Sequence, residues 1–331
     1  MRGTERGNGP QRGLSGENPR VSTARRVWLI VEYLLVLALL LAVIVSGVRR
    51  CRKTGSLFAE RETVDVLTSP VPNPTEREAL AVTLIDVGQG DAILVRSPSG
   101  RTMLVDAGPE DMFFSIRAAL RAYGIERLDA VVATHPHTDH IGSMAGVLDR
   151  YEVERFYMTD FPGATPVYER MLRALKKEGC PVYNTDSLTE IDWDEAVSVA
   201  VLNPICGQVY EDANASSIVL RIDFGKTAIL LTGDMEQETE TLLLGALGKE
   251  ALDADVLKLG HHGSQSATGV GFLDAVSPKY AIVSLGKGNE YGHPHRAVKN
   301  LLKARDIPLY RTDQHGLITV FSDGETVTIV P

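Results

Sequence analysis

The chain has 331 residues, 44% of them apolar and 23% charged, a balance that excludes a largely disordered protein and permits one large domain or two small ones. Its formal charge of −9 is unevenly divided: from residue 81 onward there are 22 Lys and Arg against 35 Asp and Glu, so the body stands near −13. Such a body lacks the basic footprint that holds duplex nucleic acid, which leaves nucleic acid as a transient substrate rather than a tightly bound partner.

Residues 1–26 form a basic, Gly-rich tail expected to be disordered. Residues 27–48, VWLIVEYLLVLALLLAVIVSGV, are a 22-residue apolar run broken by one charge, Glu32. That length crosses roughly 30 Å of hydrocarbon as a helix, whereas the apolar core of a cleaved signal is usually about 7 to 15 residues. The run is expected to be a retained anchor in the lipid bilayer. Arginines flank both sides, so the positive-inside asymmetry is weak; the expected arrangement is a single pass through the cell membrane, N-terminus inside and body outside. Residues 49–80, with Pro70, Pro72 and Pro74, read as a tether.

From residue 81 to 331 short β-branched runs alternate with helical patterns. LAVTLIDVG, AILVRS and TMLVDAG predict three strands in an antiparallel opening sheet, followed by a helix over 112–123 and a buried strand in LDAVVATH. Helices are predicted over 141–150, 168–177 and 236–247, near Phe272 and after Pro294. Strands are predicted near Phe156, Val199, Val219 and Ile229, in DVLKLG and KYAIVSLG, and at the C-terminus. Two strand blocks trailed by helices imply two stacked sheets with helices outside, a four-layer αββα sandwich. The three cysteines, Cys51, Cys180 and Cys206, are too scattered for a disulfide framework or a Cys-based metal site.

Seven of the eight histidines lie in three short clusters that follow predicted strands; His315 stands alone and reads as an ordinary packed residue. In HPHTDH, alternation along an extended segment points His135 and His137 the same way, while Asp139 and His140 sit where the chain turns into a helix. One loop thus offers two imidazoles to one point and a carboxylate with an imidazole to another, a donor set suited to zinc and acceptable to manganese or iron.

The loop resembles the HxHxDH signature of the metallo-β-lactamase fold. IDVGQGDAILV, LVDAG, THPHTDHIGS, NASSIVLRI, LLTGDME, DVLKLGHHGSQSA and GNEYGHPH are similar, in the same order, to the hydrolase domain of ComEC-type late-competence DNA-uptake proteins. Those proteins carry many membrane spans where this sequence has a single apolar run. The resemblance implies one or two divalent ions, Zn or Mn, held by His135, His137, Asp139, His140 and Asp234, the last having the place of a bridging carboxylate. The closing ligand is His261 or His262 of GHHGS, with His293 of YGHPH the alternative. Many members of the superfamily place a histidine before the strand that reads SSIVLRI here, and this chain has DANASS. Asn214, Ser216 and Ser264 are candidates for facing substrate.

Asp139, Lys258 and His293 are the candidates for chemistry. Lys258 either meets a phosphate or oxyanion or snorkels at an exposed strand face, and His293 faces a phosphate or donates a proton. Asp86, Gln89 and Asp91 are expected to orient ligands, and Asp106 to hold a turn. Ions so bound lower the pKa of a coordinated water, which predicts hydrolysis of a phosphodiester, single-stranded DNA included. Alternatives are a lactonase, thioesterase or β-lactamase on the same fold, or a tethered binding protein without catalysis.

Overall fold

The computed structural model describes residues 78–331. The predicted tail, anchor and nearly all of the tether lie outside the described residues. Among the described residues no helix is long and apolar enough to cross a membrane.

Strands β1 (Leu80–Leu84), β2 (Ile93–Arg96) and β3 (Thr102–Val105) pair antiparallel in sequence order, as their alternating pattern predicts. Helix α1 (Phe113–Ala122) and the short β4 (Arg127–Leu128) lead into β5 (Ala130–Ala133), which pairs parallel with β3. Next come α2 (Thr138–Ile141), α3 (Met144–Arg150), β6 (Glu152–Val153), β7 (Phe156–Met158), α4 (Pro166–Glu178) and β8 (Val182–Asn184), with β7 and β8 extending the sheet in parallel.

A second sheet contains β9 (Val197–Asn203), β10 (Val219–Phe224) and β11 (Thr227–Leu231) in antiparallel order. After α5 (Gln237–Leu247), β12 (Val256–Lys258), α6 (Val270–Val276), β13 (Tyr280–Val283), α7 (Arg296–Lys303) and β14 (Leu309–Arg311) follow, and these three strands run parallel to β11 and to each other. The chain then crosses back through α8 (Thr312–His315). β15 (Ile318–Ser322) pairs with β1 and β16 (Val327–Val330) with β15. The strand orders are β16-β15-β1-β2-β3-β5-β7-β8 and β14-β13-β12-β11-β10-β9.

Side-chain alternation sorts the core into three layers. Val82, Val95, Val105 and Val132 of the first sheet meet Val199, Leu220, Ile229 and Val256 of the second in a shared interior. The alternate residues Leu94, Leu104 and Val131 face Ile116, Leu120, Met144 and Met171 of α1, α3 and α4. Leu230, Leu257 and Ala281 face Leu243, Phe272 and Val298 of α5, α6 and α7. Strands covered on both faces must be apolar throughout, which is why β5 reads AVVA and is buried end to end. Each valine so buried contributes about 1.5 kcal/mol or more. The result is the expected αββα sandwich.

Helix α4 begins two residues before its predicted start because Thr165 accepts a hydrogen bond from Tyr168 N (3.2 Å) and Pro166 fits the first turn; it stops at Gly179, in the left-handed region (φ 78°). The predicted 141–150 helix is instead two pieces, with Asp139 and His140 on the first. Between the pieces Gly142 is still helical (φ −55°, ψ −48°) and Ser143 departs from the helix (φ −90°, ψ 0°). A Cβ on Gly142 would lie 2.3 Å from Glu110 N, and the Ser143 hydroxyl donates to Pro109 O (2.6 Å).

Candidate metal centre

The loops after β5, β11, β12 and β13 gather at the carboxyl ends of parallel strands, where open α/β sheets hold ligands. The first sheet supplies His135, His137, Asp139 and His140. The second supplies Asp234, His261, His262 and His293. Two glycines permit the close approach: a Cβ on Gly90 would sit 2.2 Å from Asp139 O, and one on Gly260 would sit 2.6 Å from Met235 O.

Asp234 lies at the centre, 1% exposed. Its Oδ1 is 3.2 Å from His140 Nε2, and its Oδ2 is 3.5 Å from His262 Nε2, 3.8 Å from His261 Nε2 and 3.9 Å from His135 Nε2. His262 Nε2 is also 3.2 Å from Asp139 Oδ2. Donor atoms of Asp139, His140, Asp234 and His262 all fall within 4.8 Å of one another. His135 Nε2, next to Asp234 Oδ2, is also 3.1 Å from His137 Nδ1.

The proton positions follow from the outer hydrogen bonds. Asp106 accepts from Thr134 N (2.8 Å), the Thr134 hydroxyl (2.7 Å) and His140 Nδ1 (2.7 Å). With its own hydrogen committed to Asp106, Thr134 Oγ1 accepts from His135 Nδ1 at 3.1 Å. His262 Nδ1 donates to Ser284 O (3.0 Å) and His261 Nδ1 to Glu236 Oε1 (2.7 Å). Every one of these rings therefore turns an Nε2 toward Asp234, the arrangement of metal-ligating histidines whose other nitrogen is held by a carboxylate or carbonyl.

Whether these donors suit a divalent ion can be judged from unsatisfied atoms. His140 Nε2 and Asp234 Oδ1 are both buried with no hydrogen-bond partner. A buried polar atom left bare costs about 1–3 kcal/mol; one cation satisfies both, and the imidazole and carboxylate set fits zinc, manganese or iron. The electrostatics agree. Burial pushes the Asp234 carboxyl up, but His262, His140 and His135 overcome it and hold it well below the usual range. Burial pushes His140 down, yet Asp234, Asp106 and Asp139 keep its pKa well above the ordinary value. His262 is likewise raised, with Asp234 outweighing burial.

The sequence profile described as "Metallo-beta-lactamase superfamily" matches residues 85–287, spanning the strands and loops that carry these ligands. The chain belongs to the metallo-β-lactamase superfamily. It is 34% identical over 259 residues to ComE operon protein 3 of Bacillus subtilis, covering 72% of this chain and 32% of that protein. It is 35% identical over 248 residues to Competence protein ComA of Neisseria gonorrhoeae, covering 75% and 33%. The chain thus spans about a third of the length of the curated relatives it matches. Among solved structures, the CmlA beta-hydroxylase E377D mutant superposes with a TM-score of 0.50 at 17% identity, covering 75% of this chain and 54% of that one, a likeness of fold alone.

Within this superfamily frame the other expected site residues fall out unevenly. Lys258 neither snorkels nor opens onto the centre: it is 0% exposed, 2.5 Å from Asp91 Oδ2, and donates to Gly233 O at 3.0 Å. A buried ammonium needs a carboxylate and a carbonyl partner, and both lie behind the ligands. Asp91 does support them, with Oδ1 3.7 Å from His262 Nδ1 and Oδ2 3.9 Å from His140 Nδ1. Asp86 only closes its own turn through Gly88 N, and Gln89 accepts from Gly286 N on the β13 loop.

The Ser216 hydroxyl donates to Ala213 O and Ser264 pairs with Ser266, so each hydroxyl also closes its own loop. Asn214 Oδ1 is buried without a partner. Burial first, then His262, His295 and His261, hold His293 down to about 4.

Sequence reasoning missed Glu236 and reduced Asp106 to a turn residue. A glutamate two residues after Asp234, at the N-cap of α5, was the signal for the first. For Asp106, the signal was a carboxylate at the end of the strand parallel to the one that delivers HPHTDH.

Proposed function

We propose that this chain is a metal-dependent phosphodiesterase acting on nucleic acid at the outer face of the cell membrane, tethered there by residues 27–48 and serving DNA uptake. The observation that carries the reading is Asp234: one buried carboxylate with His140 at Oδ1 and His262, His261 and His135 around Oδ2, a donor density suited to divalent ions that would assist phosphoryl displacement. Divalent ions held there supply an activated water at neutral pH and electrophilic contact to the phosphoryl oxygens.

The chain's own residues do the remaining work. Asp139, half-buried beside His262 and the least enclosed of the grouped donors, would orient the attacking water by accepting a hydrogen bond from it. His293 is enclosed with an unpartnered Nδ1 and donates a hydrogen bond without adding charge. Tyr291, 65% exposed, stacks on His293 with ring centroids 5.5 Å apart and offers its outer face to a base. Stacking of that kind needs no basic groove, which suits an acidic body.

The test is the purified full chain with added ZnCl2 or MnCl2, assayed on a single-stranded oligonucleotide and on bis(p-nitrophenyl) phosphate beside lactone, thioester and β-lactam panels. Cleavage of the two phosphodiesters, abolished by His137→Ala, is expected. Turnover of the ester or lactam panel alone, or equal activity in His137→Ala, overturns the reading.

A further inference from the structure

HPHTDH leaves the carboxyl end of β5, and β3, β5 and β7 run parallel, so the segments that enter β5 and β7 lie at the other end of the first sheet. A cavity of about 570 Å³ opens there. It is lined by Arg117 and Arg121 of α1, by Ile125 and Glu126 before β5, and by Arg150 and Tyr151 at the end of α3. The ten residues of α1 rise about 15 Å, which separates this cavity from the metal centre.

Among the described residues none of the three arginines has an acidic partner. Glu126 shares the cavity without pairing with them, while Asp129 and Glu154 at the same end are committed to Arg101, Arg127 and Arg155. Arg121 and Arg150 stand in the last turns of their helices, where the dipole favours a cation. That leaves Arg117 without a reason. It lies four residues before Arg121 on one helix face, a like-charge spacing that destabilises a helix. Arg150 Cζ is 5.4 Å from the Tyr151 ring centroid. Burial raises the pKa of the Tyr151 hydroxyl, and Arg150 and Arg117 are both close enough to oppose that rise.

In a body near −13, three cations grouped without counter-charge concentrate positive potential. Guanidinium forks match the oxygens of a phosphate group in bidentate geometry. Arg121 and Arg150 are exposed and Arg117 is half-buried, so the site opens onto a surface rather than closing around a soluble ligand. The chain's path indicates which surface. β1 runs parallel to β3, since both pair antiparallel with β2, so Leu80 lies at the arginine end of the sheet. The polypeptide therefore enters the folded domain at the end remote from the metal centre.

We propose that Arg117, Arg121, Arg150 and the Tyr151 hydroxyl bind the phosphate of an anionic phospholipid headgroup, seating this end of the domain on a bilayer with the metal centre turned away from it. This rests on the membrane-tethered reading above and adds to it a lipid contact made by the folded domain itself. Each arginine so placed contributes about fivefold to the contact.

The experiment places the full chain in nanodiscs of phosphatidylcholine, alone or mixed with phosphatidylglycerol, and follows amide hydrogen exchange. Residues 117–126 and 148–152 are expected to be protected only in the phosphatidylglycerol discs. Arg117→Gln, Arg121→Gln and Arg150→Gln should each weaken that protection by about fivefold and leave phosphodiester cleavage unchanged. Equal protection in both discs, or protection indifferent to all three substitutions, overturns the proposal. So does protection of these amides by sodium phosphate or a single-stranded oligonucleotide when the phosphatidylglycerol discs give none. A chain that fails to enter neutral discs overturns the tether instead, and phosphatidylglycerol vesicles added from solution then decide the arginine site by the same protection. Lipid-dependent protection without phosphodiester cleavage leaves the site standing and overturns the proposed function.

Discussion

The two sides of Asp234 are built differently. On one side His140 and His262 are 0% and 1% exposed and locked from behind by Asp106, Asp91 and Ser284. On the other His137 is exposed, and His261 is part-exposed and held by a glutamate on the surface. His140, His262 and His135 are fixed by the packing of two sheets, whereas His261 depends on a half-buried carboxylate. Affinity and rigidity are therefore expected to reside in the first, and access and tuning in the second.

The comparison can be broken most drastically at its shared element. Asp234→Ala should abolish ion binding on both sides and phosphodiester cleavage with it, measured by metal content and turnover; retention of one tightly bound ion would mean that the sides are independent. Next is the buried pair behind the enclosed side. Lys258→Met leaves Asp91 charged and unpaired in the core and is expected to cost about 3–5 kcal/mol, read from urea unfolding. The replacement Lys258→Met with Asp91→Leu should recover much of that stability.

A finer contrast compares the outer partners. Asp106→Asn, which takes the fixed acceptor from His140, should weaken the enclosed ion by about 10- to 100-fold and, through Thr134 and His135, disturb the other donors by less. Isothermal titration with MnCl2 measures the loss. Smaller still, Tyr291→Ala should raise KM for an oligonucleotide by about tenfold with kcat unchanged, given stacking worth about 1–3 kcal/mol per base. An abasic oligonucleotide should be unaffected.

Acidity provides a last contrast. His140 and His262 have raised pKa values, so protons compete for their Nε2 atoms at higher pH than for a free histidine. Ion binding on the enclosed side should release protons and strengthen as pH rises through and beyond 6.5. His135 is held well below its ordinary value, with burial the leading cause, so its own protonation should contribute little across the same range. Titrations in buffers of different ionisation enthalpy measure the released protons.

Much of this was readable in the chain. The apolar β-branched runs gave the strands and the helical patterns gave the outer layers, because each element is covered on a predictable face. HPHTDH announced its own chemistry through donor density. What was not legible depended on contacts distant in sequence. Lys258 looked like a candidate for substrate because its partner Asp91 lies far away on another strand's loop. Asp106 looked like a turn because nothing local says that His140 will fold back onto it. The left-handed turn at His261 and His262, with φ of 46° and 54°, was equally silent, since histidine is not the residue that announces such backbone.

That turn has a mechanical consequence. The first sheet brings one set of donors and the second sheet brings Asp234 with both histidines of the turn. Any slip of one sheet along the other would carry His261 and His262 together, so the spacing between these two imidazoles is set by covalent geometry, as in a caliper with fixed jaws. Distortion of the sandwich would register first as lost alignment against His135 and Asp139.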